Sequence, residues 1–454
     1  MFSPKKTLRV CICIALFWNT KIFSQESQPI TIPHVEIPFK ISLEEAKAIA
    51  FQNNWDLIAV KSDVDRAIAQ KIIAKQLPNP TINYSTQKIN IDERPTATAA
   101  GDGLWARNYD TIIAINQLFE IAGKRSNRQK SAQSGYEGAD AQLNDSKRLL
   151  NLGVTKAYCD ALLGQKKVKI LKNSTISLKK EAELAQIRFK TGEISEADKN
   201  QIEISAKRFE LDTETAQANE KSLKVTLEVL LGSPKPEGKI QLTDSFDTLW
   251  EKNRLPEFNE NWVDKRPDLI AAQANLKKAK TEVRLQKALR VPDPTFLFQY
   301  EHNPPDQPQT IGLGVSFPFP LLNQNQGEIK SALANEWHAH TILQKLKAQI
   351  TSEIVTAKTN YYEASSRLKY YETEVRPKSA KVLDSYSYAY KKGGVSLIDY
   401  LFIQRNDNEI QIATAEAAAD AIIASANLTA VLNLNPDQNL STQNLKELES
   451  QRNN

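Results

Sequence analysis

The chain has 454 residues, 41% hydrophobic and 25% charged, with a formal net charge of +5 and a mean hydropathy of −0.46. This composition excludes a disordered chain and a bundle of membrane-spanning helices; with only 15 glycines it suits a protein built mostly of polar, alanine-rich helix. Nucleic acid is excluded as a partner, because Lys5, Lys6, Arg9 and Lys21 all lie in the first 24 residues and without them 55 basic residues face 54 acidic ones.

Residues 1–24 join a basic flank to an apolar run over 10–18 that is too short to cross a bilayer, and read as a secretory signal peptide. Cys11 and Cys13 belong to that segment and lie in no lipobox. Cys159 is then alone and has no partner for an internal disulfide.

A first unit, 25–231, follows. The pattern predicts a helix over 43–76 stopped by Pro78 and Pro80, a weakly alternating strand over about 81–91, and a loop over 92–107. A second strand, about 108–118, places Tyr109, Thr111, Ile113 and Ile115 on one face. A long helical hairpin spans 124–231, with its arms over 124–190 and 195–231 and its turn at Thr191-Gly192-Glu193. Residues 232–263 form a linker or equatorial segment of short elements.

The second unit, 264–434, repeats the order. A helix over 265–290 precedes a strand at about 295–302 carrying Phe296, Phe298 and Tyr300, then a strand at about 309–317 carrying Ile311, Leu313, Val315 and Phe317. Its long hairpin runs over 328–432, bent at Pro377 and turning at Gly393-Gly394. A polar tail occupies 435–454.

The duplication is explicit in the residues. Asn54-Trp55-Asp56-Leu57-Ile58-Ala59 matches Arg266-Pro267-Asp268-Leu269-Ile270-Ala271, and Pro78-Asn79-Pro80 matches Pro292-Asp293-Pro294. Phe119 and Ala132 fall on Phe319 and Ala332 at an offset of 200, whereas Phe189 falls on Tyr390, Gly192 on Gly393 and Asp198 on Asp399 at 201. The period is far longer than a solenoid's. In each unit the two shorter helices together match the length of the long one, about 100 Å at 1.5 Å per residue, so they are expected to stack end to end beside it.

Four strands cannot close a barrel, and an open edge is not tolerated in lipid. Two readings therefore stand: a soluble flap packed on the helices, or a barrel shared between copies, with eight strands in a dimer or twelve in a trimer. Trp105, Tyr109, Phe119, Tyr300 and Phe319 near the strand ends would suit an interfacial aromatic belt.

No catalytic, cofactor-binding or metal-ligating set emerges, and an enzyme is not expected. Of the histidines His34, His302, His338 and His340, the last two are spaced so that they do not share a helix face. Residues 122–126 hint at a phosphate loop but put Arg125 where Ser or Thr belongs and Leu118 where the first Gly belongs.

The ordered set of signal peptide, duplicated helix-strand-strand-helix unit, Asn116-Gln117-Leu118-Phe119-Glu120-Ile121-Ala122-Gly123-Lys124-Arg125 and Ser316-Phe317-Pro318-Phe319-Pro320-Leu321-Leu322-Asn323-Gln324-Asn325-Gln326-Gly327 resembles the TolC family of outer membrane efflux proteins. The resemblance spans residues 40–434, and the Glu-Ile-Ala-Gly-Lys-Arg stretch is similar to the heavy-metal branch typified by CzcC. It implies a mainly α fold with a small β part, in which four transmembrane strands per chain form a twelve-stranded barrel in a homotrimer. That barrel would cross the outer membrane of a Gram-negative-type bacterium and continue as an α-helical tunnel in the periplasm. The implied function is the exit duct of a tripartite efflux system for small solutes, heavy-metal cations included. Its implied partners are outer membrane lipid, a periplasmic adaptor (membrane fusion) protein and an inner membrane transporter of the RND type. A type I protein-secretion duct and a non-pore periplasmic coiled-coil protein are the alternatives.

The resemblance also assigns residues. Phe296, Phe298, Tyr300, Ile311, Leu313, Val315 and Phe317 would face the membrane, and Thr191, Gly192, Lys392, Gly393 and Gly394 would form the adaptor-docking tip. Asp399 falls on the first aspartate of the family's constriction ring, and Phe402 occupies the position of the second. Tyr390 and Asp198 match residues that latch the closed tip, while Val395 stands where the assisting arginine would be.

Overall fold

A computed structural model describes residues 37–87, 110–255, 264–303 and 307–434. Residues 1–36, which include the expected signal peptide, residues 88–109 with Trp105 and Tyr109, and the tail lie outside them. Strand β1 (Lys40–Ile41) enters α1 (Leu43–Asn53) through Ser42, whose backbone N–H donates to the Glu45 carboxylate at 2.8 Å while the Glu45 N–H donates back to its hydroxyl. Helix α2 (Trp55–Lys75) is separate from α1, so the single helix expected over 43–76 is two. The break is Asn54. Its backbone is extended, its side-chain oxygen accepts from the Leu57 N–H at 3.0 Å, and its amide donates to the Leu230 carbonyl at 3.0 Å. A buried asparagine that satisfies both ends of its side chain this way outweighs the continuous helical pattern around it.

After α2 come β2 (Thr81–Gln87), β3 (Asp110–Leu118), α3 (Lys124–Lys190) and α4 (Glu196–Leu230). The segment between the units holds β4 (Gln241–Leu242), which pairs in parallel with β1, and α5 (Phe246–Asn253). The second unit contributes α6 (Pro267–Leu289), β5 (Thr295–Asn303), β6 (Gln307–Ser316), α7 (Gln326–Tyr370), one π-helical turn (Tyr371–Val375), α8 (Arg376–Lys391) and α9 (Leu397–Val431).

Helix α3, 67 residues long, packs against α2 and α4 of its own unit and against α6 and α9 of the other. Gly164 permits the approach of α4, since a Cβ there would sit 3.2 Å from the Glu220 Cα. The main core lies midway along the helices, where α1, β1, β4 and α5 cover Val154, Tyr158, Leu162, Leu227 and Ile422. Each such side chain contributes about 1.5–3 kcal/mol by leaving water. Asp244 staples this layer, accepting from the Tyr158 hydroxyl and the Leu43 N–H, both at 2.7 Å.

The offset between units changes from 200 to 201 between Ala332 and Tyr390. The π turn lies in that interval, and a π turn is how an α-helix takes up one inserted residue. Pro377 follows within the first turn of α8.

Candidate functional site

Strands β2, β3, β5 and β6 form one antiparallel sheet in that order. Its register aligns side chains in rows across all four strands: Tyr84, Ile113, Tyr300 and Ile311 make one row, and Ile82, Ile115, Phe298 and Leu313 the next. Phe296 and Val315 continue the same face. Directly paired residues lie on one side of a sheet, so this is a continuous apolar surface, and no element among the described residues covers it. Leu313 is 83% exposed.

The opposite face is small and polar. Its rows read Asn83, Ala114, Gln299, Gly312 and Thr81, Asn116, Leu297, Gly314. Gln299 lies over Gly312 so closely that a Cβ there would meet its Cγ at 2.7 Å. Gly314 stands in the same relation to Leu297, with 3.3 Å to the Leu297 Cδ2. The alternation of glycine with Ile, Leu and Val in β6 thus has a packing cause on one face and an apolar surface on the other.

Below the sheet, residues 119–128 make an elbow into α3. Ala122 and Gly123 turn the chain with positive φ, and Asn325 does so before α7. Lys124, 3% exposed, pairs with Asp293 at 2.7 Å and donates to the Val291 carbonyl. Asp293 also accepts from the Ile121 N–H at 2.9 Å. Arg125 donates to the Lys75 carbonyl at the end of α2, and Arg128 forks onto Glu120. The Glu-Ile-Ala-Gly-Lys-Arg stretch therefore ties the first unit's elbow to the ends of α2 and α6.

At the far ends, α3 turns into α4 through Gly192 and α8 into α9 through Gly393, both with positive φ. Ser195 and Ser396 cap the returning helices, each bonded to the aspartate three residues on: Ser195 to Asp198 at 2.7 Å and Ser396 to Asp399 at 2.6 Å. Tyr390 stacks on Tyr400 with centroids 4.9 Å apart. Burial pushes the Tyr390 hydroxyl up, the Glu181 carboxylate reinforces this, and Arg188 opposes it. Arg188, which sequence reasoning passed over, is near enough to Tyr390 to act on its hydroxyl. Phe402, two residues after the buried Tyr400, is exposed, as are Thr191, Gly192 and Gly393. Among the described residues no cluster of three or more His, Cys, Asp or Glu could hold a metal ion, and no helix is long and apolar enough to cross a membrane.

A family model described as outer membrane efflux protein matches residues 48–233 and again 261–434. The chain belongs to that family. The cobalt-zinc-cadmium resistance protein CzcC of Cupriavidus metallidurans is 22% identical to it over 365 residues, 80% of this chain and 83% of that one. The pyoverdine export outer membrane protein OpmQ of Pseudomonas aeruginosa is 22% identical over 399 residues, 84% and 82% of the two chains. The crystal structure of the outer membrane protein VceC from Vibrio cholerae superposes with a TM-score of 0.70 at 18% identity, covering 86% of this chain and 95% of that one.

The protein is thus an outer membrane efflux channel with the TolC-family fold. In this efflux protein the signals that sequence reasoning missed are Lys124, Arg148 and Arg266, basic residues buried in helical patterns that read as polar faces. The alignment of Arg266-Pro267 with Asn54-Trp55 marks one of them, and the Glu-Ile-Ala-Gly-Lys-Arg stretch contains another.

Proposed function

We propose that three copies of the chain close a twelve-stranded barrel in the outer membrane and line one duct with their helical hairpins. The observation that carries this is the unbroken apolar face on an open four-stranded sheet. Among the described residues no strand pairs with the outer edges of β2 and β6; lipid forbids such open edges, and closure with neighbouring copies satisfies them. In this reading Phe296, Phe298, Tyr300, Ile311, Leu313, Val315 and Phe317 contact lipid, and the exposed Phe119 and Phe319 sit at its lower boundary.

The duct is passive, and its energy comes from an inner membrane transporter of the RND type. That transporter is joined through a periplasmic adaptor which docks at Thr191, Gly192, Lys392, Gly393 and Gly394. Asp399, Phe402, Asp198 and Tyr390 form the gate. A ring of three Asp399 carboxylates favours cations and resists closure unless screened or paired, and the bond from Ser396 fixes each carboxylate without removing its charge. The cargo is small solutes, divalent heavy-metal cations foremost. That choice rests on the likeness to a cobalt-zinc-cadmium resistance protein.

The test is the native mass of the protein extracted from outer membrane, followed by conductance in planar bilayers. A conducting trimer is expected, whereas a non-conducting monomer would return the sheet to a soluble flap. Tolerance of a deletion strain to cobalt, zinc and cadmium, beside its export of a siderophore such as pyoverdine, decides the cargo.

A further inference from the structure

The chain contains one copy of a contact that its own duplication requires twice. Helix α9 of the second unit lies along α3 of the first. Ser174 donates to the Asn408 side chain at 2.9 Å, and nearer the core Lys167 pairs with Glu416 at 2.6 Å. At the offset of 201, Ser174 corresponds to Val375, Asn408 to Lys207 and Gln404 to Glu203. The second instance therefore sets α4 antiparallel to α8, with Lys207 opposite the turn of Val375 and Glu203 one turn nearer the tip.

Among the described residues α4 and α8 share no extensive contact. Helix α4 packs on α3, and α8 packs on α9 and the π turn. A cavity of about 290 Å³ is open beside the π turn, lined by Tyr370, Val375, Val382 and Ile403 together with Glu374 and Lys378. On α4, Glu203, Lys207 and Leu211 recur every four residues and make one exposed stripe. The charges are complementary in order: reading toward the tip, the stripe runs Lys207 then Glu203, and the groove runs Glu374 then Lys378. Leu211 falls level with Tyr370, both exposed. Glu374 and Lys378 now bond each other at 2.6 Å and Lys207 bonds Glu210 at 2.7 Å, so these side chains are extended on solvent-facing surfaces with ready partners to exchange.

We infer that the groove beside the π turn is the seat for α4 of a second copy of this chain, with Lys207 meeting Glu374 and Glu203 meeting Lys378 across each interface. This rests on the trimer proposed above and assigns its lower contact. At the level where the contact inside the chain sets Ser174 on Asn408, the contact between copies uses two opposed charge pairs. Opposed charges fix the register of two helices and penalise a one-turn slip.

The experiment compares Glu203→Lys, Lys378→Glu and the double variant by native mass in detergent over a dilution series, with circular dichroism confirming helical content. Each single reversal is expected to raise the concentration at which trimers dissociate by about tenfold or more, and the double to restore it. Both singles dissociating like the natural protein, or losses in the double that merely add, overturns the assignment. Failure of the natural protein to form trimers at any concentration instead overturns the trimer itself. A single variant that loses helical content is read through the double, whose recovery still reports the pairing.

Discussion

Asn54 and Arg266 occupy equivalent positions in the two units and make the same bond. The Asn54 amide donates to the Leu230 carbonyl at 3.0 Å, and the Arg266 guanidinium donates to the Val431 carbonyl at 3.1 Å. Each closes the C-terminal end of its unit's last helix, where carbonyls have no intrahelical partner. The second unit adds charge to this arrangement: Arg266 is bidentate to Asp268 and reaches Glu353 at 2.9 Å, and Arg148 from the first unit lies 3.8 Å from Asp268.

Arg266→Leu is therefore expected to destabilise the fold by about 1–3 kcal/mol, since it leaves the partly buried Asp268 without its bidentate partner and the Val431 carbonyl without its donor. Denaturant unfolding in detergent checks this. Burial favours the protonated Asp268, but Arg266 and then Arg148 prevail and hold its carboxyl below the ordinary aspartate range. A depressed carboxylate stabilises at pH above its unfolded value, and that contribution fades as pH falls through the lower folded value. Between about pH 5 and pH 2 the natural protein should lose stability more steeply than Asp268→Asn.

Gly312→Val should strain the sheet by about 1–3 kcal/mol, because its Cβ displaces Gln299 rather than filling a void. The yield of assembled protein in outer membrane should fall, and Gln299→Ser in the same chain should recover it. Equal yields for the single and double variants would mean that Gln299 simply swings aside.

Leu313→Arg tests the apolar face. At the middle of a lipid-facing strand the change should cost about 2–4 kcal/mol and reduce membrane assembly, while Thr310→Arg on the opposite face should be tolerated. Normal assembly of Leu313→Arg would remove lipid from that face.

Ser396→Ala and Asp399→Asn separate the two roles of the tip aspartate. Loss of the cap should cost about 1 kcal/mol in Ser396→Ala, whereas Asp399→Asn keeps the backbone N–H from which the Ser396 hydroxyl accepts. Cation preference in bilayers should fall only with Asp399→Asn. If both variants keep their ion selectivity, Asp399 is a capping residue and the constriction lies elsewhere.

How much was legible in the sequence depends on whether a residue's role is local. The arm over 124–190 could be read because alanine, lysine and leucine carry the helical pattern through without a proline, and the structure has α3 over those residues. The strand faces were legible because alternation is a property of neighbours. Asn54 was not: its cap to Leu57 is local, but the bond that holds its amide is to Leu230, 176 residues away. Only the proline at the matching position of the second unit, Pro267, carries the information that a helix begins there. Lys124, Arg148 and Arg266 were hidden for the same reason: a basic residue in a helical pattern reads as solvated unless its distant partners are known.

The π turn at Tyr371–Val375 has a consequence for orientation. In an α-helix each residue adds about 100° of rotation, so one uncorrected insertion in the descending arm would carry Tyr390 and the whole turn below it to the wrong side of the hairpin. The wide turn cancels that phase error, and the two hairpins arrive at their tips pointing alike although one has an extra residue. Deleting one residue inside the turn should leave the tip in phase, whereas deleting one from α8 should turn it away from Tyr400.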